Sequence, residues 1–207
     1  MARVSGVKEK LHMPLYDAVF VPEKKNGSDG TLVNVMTDNR MLRFFVDVQS
    51  KTRLETNLQA AGVLPSMNSF EARAMRVVVS NLFDYTKDGK PTGQNNNEAG
   101  FISELIYNSV TTFLVGEKTM IEMPTYWFPA GAGVSPGFTG VGNMLQNHGE
   151  PNHLNSFRFA EPVFIESQQN FRVELTFPQG IPPSVSKAVG PYRIWVVLDG
   201  YLTRDVQ

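Results

Sequence analysis

FRFAEPVFIE at 157–166, NFRVELTF at 170–177 and YRIWVVLDGYLTRDVQ at 192–207 read as three consecutive β-strands, and they decide the fold. In NFRVELTF, Phe171, Val173, Leu175 and Phe177 fall on one face, with Arg172, Glu174 and Thr176 on the other. Side chains of a strand alternate between its two faces, so this is the pattern of a half-buried strand. YRIWVVLDGYL is apolar on both faces at its centre, through Ile194, Trp195, Val196, Val197 and Leu198. A strand of that kind belongs in the middle of a packed sheet. Asp199-Gly200 interrupts it as a bulge or tight turn would, and is expected to mark where the strand leaves the core. Tyr201 to Gln207 is then a short tail suited to subunit contact, with Arg204 and Asp205 placed to pair with each other or with a neighbour.

Working outward, TTFLV and KTMIEM flank Gly116-Glu117, and a glycine first in a two-residue turn predicts a hairpin. FEARAMRVVV at 70–79 reads as a long strand, with Glu71 and Arg73 on one face and Phe70, Ala72 and Ala74 on the other. RFFVDV at 43–48 places Phe44, Val46 and Val48 together, and TLVNVM offers a first strand. Asn97 is a candidate cap for a helix over roughly 98–109, whose apolar stripe is Phe101, Ile102, Leu105 and Ile106. A second short helix is expected over 51–61, ending at Gly62 with Pro65 beyond. About eight antiparallel strands with one helix between them is an all-β sandwich of jelly-roll size. The expected organisation is an N-terminal arm over 1–40, holding that first strand, and a single jelly-roll domain over 41–207 with a long loop at 124–156.

The chain of 207 residues carries a net charge of −1 and 19% charged residues, a surface with no strong field for a polyanion. It has no cysteine, which excludes disulfides and thiolate metal sites and suits an intracellular product. The 14 Phe supply apolar area, and the 17 Gly and 13 Pro supply turns. The first seventeen residues lack the apolar run of a secretory signal, and no apolar stretch approaches the roughly 20 residues of a bilayer span. The expectation is a soluble protein or a member of an assembly.

Candidate chemistry is sparse. His148, Glu150 and His153 in HGEPNH are weak candidates for a divalent metal, because a Gly/Pro loop does not fix ligand geometry; a solvated polar loop is the better reading. No nucleophile motif is present, and GAGVSPGFTGVG matches neither phosphate-binding fingerprint. No catalytic residue and no cofactor is therefore expected. In TYWFPAG, Tyr126, Trp127 and Phe128 cannot all face one core. They are candidates for subunit contact, where aromatics are enriched, against a carbohydrate-binding platform or a small core beneath the loop. The interface set is Tyr126, Trp127, Phe128, Tyr201, Arg204 and Asp205.

The strand order, the NFRVELTF–loop–YRIWVVLDGYL pairing and the helix set between strands, over roughly 40–207, resemble the jelly-roll capsid proteins of tailless icosahedral bacteriophages. Typical major capsid proteins of that lineage carry two jelly rolls, and this chain has length for one. The resemblance implies a viral structural protein with no enzymatic site, either a single-jelly-roll capsid subunit or a minor or vertex component. It also implies homo-oligomers, contact with other capsid proteins, synthesis in the host cytoplasm and residence in the virion. The nearly neutral arm argues against direct nucleic-acid binding. Other subunits, or an inner membrane or protein layer, are what it would meet. The alternative is a sandwich module that binds carbohydrate or a receptor.

Overall fold

The structure is a computed structural model that describes residues 8–21, 25–26, 32–33, 41–81, 104–129, 135–139, 143–147, 156–182, 185 and 192–205. The strands are β1 (Lys8–His12), β2 (Leu15–Val21), β3 (Lys25–Asn26), β4 (Leu32–Val33), β5 (Met41–Phe44), β6 (Ser69–Asn81) and β7 (Val110–Val115). After these come β8 (Lys118–Pro124), β9 (Ser135–Thr139), β10 (Asn143–Asn147), β11 (Arg158–Ile165), β12 (Phe171–Thr176) and β13 (Tyr192–Asp205). A helical turn at 104–107 precedes β7, and a 3-10 turn, Thr125–Trp127, follows β8.

Two antiparallel sheets face each other. One runs β1-β13-β6-β11, with β2 beside β1 on the same edge of β13; the other runs β5-β12-β7-β8. Taking β2, β5, β6, β7, β8, β11, β12 and β13 in chain order, the first pairs with the last, the second with the seventh, the third with the sixth and the fourth with the fifth. That is one long hairpin rolled on itself, the jelly roll. Phe70, Met75, Val77, Ile194 and Val196 from one sheet meet Leu42, Phe113, Val173 and Leu175 from the other in a single core. Each such side chain contributes about 1.5–3 kcal/mol on burial.

The alternation in NFRVELTF holds: Phe171, Val173, Leu175 and Phe177 are buried. The two-residue hairpin also forms, with Gly116 at φ 60°, a conformation that costs an L-residue energy. β12 and β13 do not pair, however. They lie in opposite sheets, because the connection between them crosses the sandwich.

Four further expectations are corrected. Residues 8–21 are not an arm: β2 pairs with β13 over seven residues, and Leu15, Ala18 and Val21 are core. Asp17, buried in the same strand, disguises its apolar pattern. The 51–61 stretch is not a helix. Thr52 and Glu55 form one turn, with the Glu55 carboxylate accepting from Thr52 N at 2.9 Å, and Thr56 then enters a β-bridge with Asp17. RFFVDV changes phase, because Phe45 takes φ 69° and turns into the core beside Phe44, leaving Val46 exposed. The 124–156 loop contains the paired strands β9 and β10.

Asp199-Gly200 does mark a bulge, but the strand runs on. The extra residue is Arg73 on β6: Asp199 faces Ala74, and Gly200 faces Ala72. Burial alternates along β13 through Leu202, and Tyr201 to Thr203 stay paired with Glu71 to Ser69. The bulge brings β6 so close that a Cβ on Gly200 would lie 2.0 Å from the Glu71 carbonyl oxygen. Gly200→Ala should therefore cost about 3 kcal/mol or more, since backbone must move. Gly116→Ala, with open space around it, should cost only about 1 kcal/mol. Urea unfolding of the two variants measures the contrast; equal losses would refute the close approach at Gly200.

Candidate functional site

Exposed aromatic rings gather where the helical turn meets the 3-10 turn. Tyr107 is 70% exposed, Tyr126 48% and Trp127 50%. The Tyr107 and Tyr126 rings lie 6.0 Å apart, and those of Tyr126 and Trp127 lie 5.9 Å apart. Rings this large seldom stand in water together without purpose. Phe128 is not part of this surface. It is fully buried, edge-on to Phe157 at 5.2 Å, so this interface candidate is a core residue. Its carbonyl accepts from Val77 N, which ties the turn to β6.

The ledge rests on buried hydroxyls. Ser109 Oγ donates to the Leu105 carbonyl at 2.6 Å and lies 2.7 Å from Thr125 Oγ1, which is 2.8 Å from Thr111 Oγ1. Thr125 N donates to the Ser109 carbonyl at 2.9 Å. The end of the helical turn, the start of β7 and the 3-10 turn are thus locked by one polar chain, which fixes where the rings stand. Thr125→Val would leave Thr111 and Ser109 short of a buried partner, at a cost of about 1–3 kcal/mol. In a Trp195→Phe background, where Trp127 is the sole indole, its emission should shift red as the ledge loosens; an unmoved spectrum would show that the hydroxyls do not position it.

The remaining interface candidates lie at the β1 end of β13 in the other sheet, Tyr201 and Asp205 on its outer face and Arg204 on the face of Leu202. Tyr201 sits beneath Lys10 Nζ at 4.7 Å and the Arg73 guanidinium at 5.0 Å, with the His12 ring at 5.4 Å. Glu71 ties both cations, 2.5 Å from Lys10 Nζ and 2.5 Å from Arg73 Nη2. Arg204 pairs with Glu9 rather than with Asp205, and Asp205 stands opposite Lys8 in the ladder. These three residues therefore face the chain's own first strand. The hydrogen bond from Lys10, and then that from Arg73, hold the Glu71 carboxyl below its ordinary value of 4.5. A depressed folded pKa gives stability that is present above 4.5 and lost as pH falls through the folded value. As pH drops below 4.5, the urea midpoint of the native protein should fall more steeply than that of Glu71→Gln; parallel curves would remove Glu71 from the linkage.

His148, Glu150 and His153 lie outside the described residues, and among the described residues no three His, Cys, Asp or Glu side chains gather closely enough to hold a metal ion. An open cleft of about 360 Å³ is lined by Arg43, Val46, Ala61, Gly62, Asn170, Phe171 and Arg172, away from the aromatic ledge. Its two guanidiniums share Glu174, at 3.7 Å from Arg43 and 2.9 Å from Arg172. Sequence reasoning found Tyr126 and Trp127 and missed Tyr107. The signal was its place off the Phe101, Ile102, Leu105, Ile106 stripe, which leaves an aromatic on the solvent side of the predicted helix. No protein-family model, curated protein or solved structure matches this chain.

Proposed function

We propose that this chain is a viral structural protein, a capsid subunit that self-assembles into a closed shell. The single observation that carries the reading is the braced ledge of Tyr107, Tyr126 and Trp127 on a jelly-roll sandwich. The fold alone hosts lectins and cupins as well as capsid proteins, so it sets the class and no more. The ledge adds the feature that self-assembly requires: large, rigid apolar rings already ordered before any partner arrives. Copies joined in this way close under symmetry.

Light scattering and electron microscopy of the full chain test this. Closed particles should form with rising concentration, and Trp127→Ser should abolish them while leaving the unfolding free energy, from urea titration, within about 0.5 kcal/mol of the native value. Each ring truncated at such a contact should weaken association by about 2 kcal/mol. A strictly monomeric protein that binds soluble oligosaccharides, and loses them with Trp127→Ser, would replace the shell by a carbohydrate-binding module.

A further inference from the structure

β1 and β2 form one extended strand broken at a single joint. His12 faces Tyr201 and Leu15 faces Leu198, so the register against β13 is the same on both sides of Met13-Pro14. The ladder lapses only there, where proline has no N–H to give. The two halves are anchored very differently. β2 sends Leu15, Asp17 and Val21 toward the interior and buries Ala18 on its other face, and its outer edge is covered: Asn57 Oδ1 accepts from Tyr16 N at 3.0 Å, and Asn57 Nδ2 donates to the Pro14 carbonyl at 2.7 Å. β1 has no buried side chain, and Leu11 is not among the residues packed on the core. Among the described residues, its backbone hydrogen bonds go to β13 alone. Its side chains add Glu9–Arg204, Lys10–Glu71 and the Lys10 and His12 contacts with Tyr201, all at the surface. Surface ion pairs of this kind are individually weak and screened by salt.

We infer that β1 is an exchangeable strand: it leaves its own β13 by rotation at Met13-Pro14 and completes the same edge of a second copy of this chain. Every hydrogen bond and ion pair of the closed form is remade in the exchanged one, so the two differ only at the joint and in the entropy of association. The occupant is a second copy because the edge is written for this segment. Glu9 meets Arg204, Lys8 faces Asp205, Lys10 reaches Glu71, and Leu11 stands opposite Leu202. The shell reading is not needed for this, though an exchanged strand would link its subunits.

The absence of cysteine makes the test direct. A tagged chain bearing Lys8→Cys is co-expressed with an untagged chain bearing Asp205→Cys, and the purified protein is oxidised. Exchange should give a tagged–untagged disulfide dimer in excess over either homodimer, and the double variant should give covalent oligomers that grow with concentration. Mixed chains without a cross-link, with the double variant closing only on itself, would overturn the inference. Leu11→Cys with Leu202→Cys repeats the test on the other face, so one unfavourable disulfide geometry does not decide it. Linked dimers without particles would sink the shell and keep the exchange; particles without links would do the reverse.

Discussion

A carboxylate with no exposed surface holds the two sheets in register. Asp17 lies on β2, in the sheet centred on β13, and accepts from Phe45 N at 2.7 Å and from Lys51 Nζ at 2.9 Å through both oxygens. Phe45 directly follows β5, in the opposite sheet. Its φ of 69° is costly for a bulky residue, and the hydrogen bond to Asp17 fixes that conformation. In return the ring turns inward against Phe171 at 5.3 Å, so β5 ends with two consecutive phenylalanines in the core. A buried ion pair adds little net stability, because desolvation offsets the attraction, but removing one partner is severe. Asp17 therefore acts more as a positional constraint than as a source of stability. It sets where β5 stops and where the 51–58 segment crosses β2.

That segment is the second consequence. Trp195 Nε1 donates to the Leu54 carbonyl at 3.1 Å, and Tyr16 OH donates to the Arg53 carbonyl at 2.5 Å. The outer face of β13 is thereby half covered, which is why its centre tolerates Trp195 and Val197 on the side away from the core. Further along the same strand, Arg76 forks onto Asp199 with bonds of 2.7 and 2.9 Å. Pro14, Asp199-Gly200 and the Arg73 bulge thus fall at one level across three neighbouring strands.

Much of this was legible in the residues. The alternation of β12, the turn at Gly116 and the long apolar β13 are local properties, and local patterns survive folding. Two of the errors share a cause, which is tertiary contact overriding local preference. LYDAVFV reads poorly as a core strand until Asp17 is known to have Lys51 as its partner. Thr52-x-x-Glu55 starts a helix by every local rule, and the bridge from Thr56 to Asp17 ends it after one turn. The hairpin of β9 and β10 sits in Gly- and Pro-rich sequence without apolar alternation, so nothing periodic announced it. At the candidate site Tyr126 and Trp127 stood out as neighbours in sequence. Tyr107 joins them only through space.

The rolled pairing also fixes an order of events. The strand at the centre of one sheet, β13, comes last of the sandwich strands in chain order, and both neighbours on its two edges wait for it. A nascent chain that has not yet released residues 192–205 has β2 and β6 separated by an unfilled gap of one strand. Contacts so distant in sequence are slow to form, and loop closure opposes them until the final strand arrives. No chain shorter than that can present a finished sandwich. The sandwich therefore closes only when both ends of the long hairpin are present, and β2, the first of its eight strands, waits for the eighth.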